Sequence, residues 1–505
     1  MTAAQAKVFI CKLIAGFRLA GIKRGDVVLV HAFNSIYYPI IVLGIIGAGA
    51  IYTGTNPGYT AHEMTHALKS TGAKMIICDP DVLGDSVTAA AQARGLPLSK
   101  ILTLDTAPFL PSFLTRLNDD GTHASWLTLL QHGSSDWLHF DNEKTSRDTV
   151  AGLFFSSGTT GLPKLVQLSH YNLIAQHTLV FEHNPRPYIL KRLIALPMFH
   201  AATAPSTHFS PLRAGHQQVV MRRYEPGVYL EMCEKHQITD LTLVPPVVTS
   251  ILALPLPEES KKRMLSSVRW AWCGAAYLSA HTQALFQALL PSGSSVTQIW
   301  GMTEVSCFGS LLPFPQTDST GSVGRFVPNI DIKLLDDDDD DITDFDIRGE
   351  LAIRGPTVTQ GYADVPRERD FDTEGYFRTG DILYCDGKTG LWYIVDRKKE
   401  LIKVRGFQVA PAELEGVLLE HPGIADVAVL GVTIGEEELP RAFVVKRDVA
   451  LSEADVKSWV EGKLARYKKL DGGVRFVHVI PKSPSGKILK KLLREQEDKV
   501  DRAKL

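Results

Sequence analysis

Val150-Ala151-Gly152-Leu153-Phe154-Phe155-Ser156-Ser157-Gly158-Thr159-Thr160-Gly161-Leu162-Pro163-Lys164 is the stretch on which the reading of this 505-residue chain turns. Its apolar first six residues read as a buried strand, and a helix-like segment from Tyr171 to Phe181 comes after it. Gly158 and Gly161 let the backbone turn tightly beside a bulky anion. The hydroxyls of Ser156, Ser157, Thr159 and Thr160, with the Lys164 ammonium, can then surround phosphate oxygens with donors. A Walker loop is excluded, because Pro163 precedes the lysine and Leu165 follows it. A bare Gly-Thr-Thr-Gly would be read as a flexible surface loop; the whole string after a strand reads as a phosphate grip.

Working outward, a chain of 505 residues and 55.6 kDa exceeds one compact core, so two or more domains are expected. Charged residues make up 22% and hydrophobic ones 45%, the proportions of a globular enzyme. A net charge of -2 supplies no field that would gather nucleic acid, so an anionic ligand must be held locally. The cysteines at 11, 78, 233, 273, 307 and 385 form no C-x-x-C pair and read as reduced thiols. Tyr37 to Thr53 is the longest apolar stretch. Pro39 and its glycines interrupt it, so a buried helix followed by a strand is expected rather than a membrane span. Lys12 splits the apolar run near the N-terminus, where an amphipathic helix from Lys7 to Gly21 explains the pattern better than a signal peptide.

Strands at Val27 to His31, Lys74 to Cys78, Leu193 to Leu196 and Asp240 to Val244 alternate with helical patterns, which predicts parallel sheets covered by helices on both faces. The six aspartates 336 to 341 lie between two strands and read as a solvated, self-repelling loop. After Trp392 to Val395 the charged run Asp396-Arg397-Lys398-Lys399-Glu400 resembles a hinge. The remaining residues alternate strands and helices on their own, so a boundary is placed at 396, dividing 1–396 from a small α+β portion, 397–505.

Three further strings occur in order with the phosphate grip and Asp396-to-Gln408: Gln298-Ile299-Trp300-Gly301-Met302-Thr303-Glu304, Arg378-Thr379-Gly380-Asp381 and Pro484-Ser485-Gly486-Lys487. In that order they resemble the acyl-adenylate-forming superfamily over nearly the whole chain. The 4-coumarate:CoA ligase-like branch is the nearest variant. The resemblance implies a large α/β N-terminal domain of parallel-rich sheets, a small mobile C-terminal domain, and an ATP- and Mg²⁺-dependent acid:CoA ligase. Carboxylate and ATP would give acyl-AMP and pyrophosphate; CoA would then give acyl-CoA and AMP.

By the same resemblance, Ser156 to Lys164 grips the β- and γ-phosphates, Thr303 sits near the α-phosphate and Glu304 holds Mg²⁺. Asp381 accepts from the ribose hydroxyls with Arg397 beside it. Gln298, Trp300 and Ala276 belong to the nucleotide-binding set. Lys487 bridges carboxylate and phosphate as charge builds. The small domain would swing about Lys399, bringing Arg405-Gly406 and Lys403 to the site for the thioester step. Arg223 would meet CoA phosphates, and His200 would stand at the thiol tunnel.

The pattern departs from its relatives in several places. The match begins almost at Met1, as though the usual first few dozen residues were missing. Trp300 stands where tyrosine is usual and Tyr277 where proline is. Ala201, Ala202, Pro205, Cys307 and Phe308 suggest an enlarged, less polar acid pocket, hence an aryl-alkyl, medium-chain or other lipophilic acid rather than 4-coumarate. Ala503-Lys504-Leu505 resembles a peroxisomal address and implies an import receptor as partner, the cytoplasm being the alternative site. Competing functions are an adenylation enzyme that loads a carrier protein, a luciferase-type oxygenase and an inactive acyl- or nucleotide-binding relative.

Overall fold

The structure, a computed structural model, describes residues 1–104, 123–156, 163–276, 278–405, 407–434, 437–483 and 486–502, with side chains to 496. Ser157, Gly158, Thr159, Thr160, Gly161, Tyr277, Gly406, Pro484, Ser485 and Ala503 to Leu505 therefore lie outside the described residues.

The first sheet contains β1 (Val27–His31), β2 (Ile51–Thr55), β3 (Met75–Cys78), β4 (Ile101–Thr103), β5 (Ala124–Ser125), β6 (Val150–Ser156) and β7 (Lys164–Ser169), in the order β5-β4-β3-β1-β2-β6-β7. All neighbours run parallel except the β6–β7 hairpin, which pairs Val150 with Ser169 and Ser156 with Lys164. The apolar stretch from Tyr37 divides as expected, into the helix Tyr38–Gly47, opened by Pro39, and β2. The helix expected from Tyr171 is present as His170–His177. Between it and Lys164 lies the strand β7, where Leu165 and Val166 are buried, and Ser169 ends the strand by capping the helix.

The second sheet contains β8 (Lys191–Ile194), β9 (Gln217–Val220), β10 (Asp240–Leu243), β11 (Trp270–Cys273) and β12 (Ser295–Gln298), all parallel in the order β12-β11-β10-β8-β9. Carboxyl ends of parallel strands are where such folds build their sites, and the segments leaving β8, β11 and β12 carry His200, Ala276 and Trp300. The hairpin β13 (Trp300–Met302) and β14 (Cys307–Leu311), extended by β15 (Arg325–Phe326), follows immediately.

A third sheet, antiparallel throughout, contains β16 (Asp331–Leu335), β17 (Asp341–Ile342), β18 (Gly349–Arg354), β19 (Phe377–Cys385) and β20 (Trp392–Arg397). The two strands read on either side of the aspartate run are its β16 and β18; their antiparallel pairing is what the strand–helix alternation did not announce. β20 runs one residue past the expected boundary and sets Arg397 opposite Asp381 of β19. The aspartate run is more ordered than a self-repelling loop. The Asp336 carboxylate accepts the amides of Asp338 and Asp340, each at 2.9 Å, and Asp339 pairs with Arg378.

Beyond it, the hairpin β21 (Ile402–Val404) and β22 (Phe407–Val409) and the sheet of β23 (Ile424–Ile434), β24 (Glu437–Lys446) and β25 (Val474–Phe476) share one core with Leu414, Leu418, Val456 and Val460. Its buried members all fall between Ile402 and Leu470. Burial of each such side chain contributes about 1.5–3 kcal/mol, so this cluster is a source of stability separate from the hydrophobic clusters of the preceding sheets.

Candidate active site

Trp300, Thr303 and Glu304 are placed by the β13–β14 hairpin, whose close approach depends on Gly301. A Cβ built on Gly301 would lie 1.7 Å from the Cys307 carbonyl oxygen. Thr303 and Glu304 occupy the short turn Thr303–Val305, both buried. Glu304 Oε1 accepts from the Tyr362 hydroxyl at 2.8 Å, and its own carbonyl accepts the Thr359 amide at 2.7 Å. Burial beside Glu304 pushes the Tyr362 phenol well up, so it remains a donor. The Tyr362 ring also lies 4.4 Å below the Lys164 ammonium, whose counter-ion is Asp370 at 3.7 Å.

Asp381 is almost fully buried. Its Oδ2 accepts the Trp300 indole N–H at 2.8 Å, and its Oδ1 stands 2.8 Å from Arg397 Nε. Asp381 in turn raises the Arg397 pKa, fixing the guanidinium as a cation. The indole is 3% exposed and packed edge-on against Phe326, so its N–H, where the usual residue has a phenol, is spent orienting a carboxylate.

Lys487 reaches this group from the far end of the chain. Its turn is closed by Ser483: the Ser483 hydroxyl accepts the Lys487 amide at 3.1 Å, and the Ser483 amide donates to the Lys487 carbonyl at 2.8 Å. Gly486, at φ +83°, abuts Pro246, where a Cβ would come within 2.9 Å. Burial and the Arg397 guanidinium lower the Lys487 pKa, while Glu400, Asp381 and Glu304 oppose them. Lys490, one turn on, pairs with Glu400 at 2.8 Å and Glu415 at 3.6 Å. Asp396 accepts the Ala412 amide at 3.0 Å and so ties β20 to the next helix, Pro411–Leu419.

His200 Nδ1 accepts the Ala202 amide at 3.1 Å. Burial, reinforced by the Lys487 ammonium, pushes His200 down from 6.5 to about 4. A ring with that pKa is neutral near pH 7. CoA capture of preformed acyl-AMP is accordingly expected to be flat from about pH 5.5 to 7. An inflection near 6.5 in the wild type that disappears in His200→Gln would refute this.

The structure thus brings together Trp300, Thr303, Glu304, Asp381, Arg397, Lys164, Lys487 and His200. Ser156 ends β6 opposite Lys164. Gln298 is buried at the end of β12, donating to the Leu278 carbonyl and to Gln283, each at 2.9 Å, while Ala276 is exposed after β11. Arg223 lies 3.8 Å over the Phe33 ring beside a cavity of about 340 Å³ that Lys482 and Gly486 also line. Lys399, Lys403 and Arg405 stand apart and exposed, with Arg405 held by Glu437 at 2.8 Å. Beside the small Ala202, Phe181, Trp272 and Phe308 pack together within 6.2 Å, and Cys307 is turned inward to donate to the Ala202 carbonyl at 3.1 Å. Sequence reasoning missed Tyr362, Asp370 and Lys490, because their partners Glu304, Lys164 and Glu400 are distant in the chain.

These features are those of adenylate-forming enzymes, and comparison with known proteins agrees. Residues 1–363 match the AMP-binding enzyme family and residues 413–487 the AMP-binding enzyme C-terminal domain, so the chain belongs to the AMP-binding enzyme family. Within it, the chain is an acid:CoA ligase of the acyl-CoA synthetase branch. It is 50% identical over 499 residues to the phenylacetyl-CoA ligase epaB of Aspergillus niger, covering 98% of this chain and 91% of the relative. It is also 50% identical over 494 residues to the acyl-CoA ligase azaF of Aspergillus niger, covering 97% and 91%. ATP-bound MatB from Rhodopseudomonas palustris superposes with a TM-score of 0.84 at 26% identity, covering 98% of this chain and 93% of that one.

Proposed function

We propose that the enzyme activates an arylacetic or similarly lipophilic acid through acyl-AMP, with the convergence of Lys487, Arg397, Asp381 and Glu304 as the observation that carries the assignment of roles. A carboxylate resists attack by a thiol, since its carbonyl is electron-rich and oxide leaves poorly. Joining it to AMP removes both obstacles but first brings two anions together, which requires positive charge at the phosphorus. Lys487 supplies that charge between the acid and the α-phosphate, and Thr303 donates to the same phosphate. Asp381, held by Trp300 and Arg397, has lone pairs left for the ribose hydroxyls. Lys164, with Ser156 to Gly161, takes the outer phosphates.

Glu304 would hold Mg²⁺. Tyr362 occupies only Oε1, which leaves Oε2 for a hard cation that takes one or two carboxylates together with phosphate oxygens. The metal would neutralise phosphate charge there.

For the second step, the cavity of about 340 Å³ beside Phe33, Pro197 and Phe199 supports a thiol approach toward His200, with Arg223 at its rim for a CoA phosphate. Lys487 lies in the site while Lys403 and Arg405 are exposed, so the arrangement suits acyl-AMP formation. A rotation about Lys399 would exchange them. The support for an arylacetic acid is the 50% identity to a phenylacetyl-CoA ligase, together with an aromatic wall of Phe181, Trp272 and Phe308.

The purified enzyme is expected to convert ATP, CoA and phenylacetate or a related acid to AMP, pyrophosphate and a thioester when Mg²⁺ is present. Lack of thioester from every member of a broad acid panel would overturn the assignment. AMP formation that proceeds only to a carrier protein would replace it with the loading reaction.

A further inference from the structure

The helix Pro411–Leu419 lacks a cap of its own. Its N-cap position is Ala410, whose methyl group accepts nothing, and Pro411 at the first helical position has no amide hydrogen. The first amide of the helix is therefore that of Ala412, and it donates to Asp396 Oδ2 at 3.0 Å, 16 residues back in the chain. Asp396 belongs to β20 and lies opposite Ile382 of β19, whereas Leu414 and Leu418 of the helix are buried in the cluster that spans Ile402 to Leu470. Lys399 stands between them. A carboxylate on one side of the hinge thus caps a helix on the other, where its charge also suits the positive end of the helix dipole.

The cap is shielded from water. Asp396 is 8% exposed, and its Oδ1 accepts the Arg397 amide at 2.7 Å. Burial raises its pKa and Glu400 adds to the rise, while the Lys490 ammonium and the Ala412 and Arg397 amides oppose it. Ala412 and Lys490 thus offset part of the desolvation of this carboxylate, and only while they face it. A rotation about Lys399 leaves Asp396 with β20 and carries both of them away, so the cap exists in one arrangement and is exchanged for water in the other. Gln408 also reaches back across the hinge, to Asp337 at 3.2 Å, but that pair is exposed and water replaces it at little cost. A contact made in only one of two arrangements biases the equilibrium toward it. The helix in turn holds the segment that carries Lys487, because its Glu415 pairs with Lys490 at 3.6 Å.

We propose that Asp396 is a positioning residue: it caps the helix Pro411–Leu419 only in the arrangement that brings Lys487 to the nucleotide, and so sets the balance between the two half-reactions. The inference rests on the rotation about Lys399 proposed for the second step. Asp396 touches neither substrate nor nucleotide in this role and acts through the helix and Lys487.

The test is Asp396→Ala, with each half-reaction measured separately. Each proceeds in proportion to the share of enzyme in its own arrangement, so the ratio of CoA capture of preformed acyl-AMP to acid-dependent pyrophosphate exchange reads the balance directly. Loss of the cap is expected to raise that ratio by about three- to thirtyfold. The rise in thermal midpoint on adding ATP should persist, because Arg397 and Asp381 remain. In the double variant Asp396→Ala/Ala410→Ser the helix gains a hydroxyl at its own N-cap position, where the backbone is already extended at φ -81° and ψ 117°. That variant should recover thermal midpoint over Asp396→Ala while its ratio stays high. An unchanged ratio in Asp396→Ala would overturn the proposal, and so would a return to the wild-type ratio on adding Ala410→Ser, which would mark a cap that serves the helix in both arrangements. Loss of the ATP-induced rise would overturn it too, by placing the effect at Arg397. Were there no rotation at all, Lys487→Ala would slow both half-reactions alike; a failed cap alone leaves Lys487→Ala selective and the ratio in Asp396→Ala unmoved.

Discussion

Replacing Lys487 with alanine is expected to lower acid-dependent exchange of pyrophosphate into ATP by about a hundred- to a thousand-fold, the scale for losing one preorganised charge at a developing anion. Capture of preformed acyl-AMP by CoA should continue at the wild-type rate. The asymmetry follows from where the amine sits. Lys487 is held among Arg397, Asp381, Glu304 and Glu400, and Gly486 abuts Pro246, so the ammonium is committed to the nucleotide side of the site. Lys403, the candidate for the thioester step, faces solvent in the same arrangement. The charge on Lys487 is also maintained against burial by the three carboxylates, so a neutral residue of similar length, as in Lys487→Met, should behave like alanine. Equal loss of both half-reactions would show that the two steps do not use different residues. Retained exchange would remove Lys487 from the chemistry altogether.

The sequence disclosed the elements whose signal is local. The strand Val27–His31, the helix opened by Pro39 and the phosphate-grip strand β6 all carry their hydrophobic pattern within a few residues, and each forms where expected. Trp300, Thr303, Glu304, Asp381 and Lys487 are legible as candidates for the same reason, because family strings travel as short segments, and the structure brings them together. What could not be read was pairing across the chain. Tyr362 meets Glu304 from 58 residues away, and no spacing announces a phenol whose value lies in a partner on a distant turn. Two strands of the third sheet, those flanking the aspartate run, are legible locally; their antiparallel pairing is not, because strands separated by turns of uneven length leave no period that spans them. The acid side of the site is legible only in part. Small residues at 201 and 202 describe one local stretch, and the aromatic rings packed together near Ala202 come from the segments holding 181, 272 and 308. Volume is a sum over segments that a local reading cannot take.

Gly301→Ala is expected to destroy adenylation as thoroughly as loss of Lys487, although position 301 supplies no functional group. A methyl group there would meet the Cys307 carbonyl oxygen at 1.7 Å and its carbon at 2.7 Å. Both belong to backbone, so no side chain can turn aside. β13 and β14 must separate, and the hairpin carries Trp300 at one end and Thr303 and Glu304 at its turn. Overpacking of this kind costs about 1–3 kcal/mol in stability, which lowers the thermal midpoint by several degrees at most. The effect on catalysis is larger, since displacement of reacting groups by about 1 Å can cost a hundredfold. Moving Trp300 also withdraws the N–H that orients Asp381, so nucleotide binding should fall along with turnover. The comparison that isolates the cause is Gly227→Ala, in the helix Pro226–His236, where an added Cβ meets nothing within 4 Å. That variant should exchange pyrophosphate like the wild type. Gly301→Ala should lose exchange and the ATP-induced rise in thermal midpoint while remaining folded by circular dichroism. Wild-type exchange by Gly301→Ala would mean that the hairpin can open without disturbing Glu304, and the close approach of its strands would then have no part in holding the site.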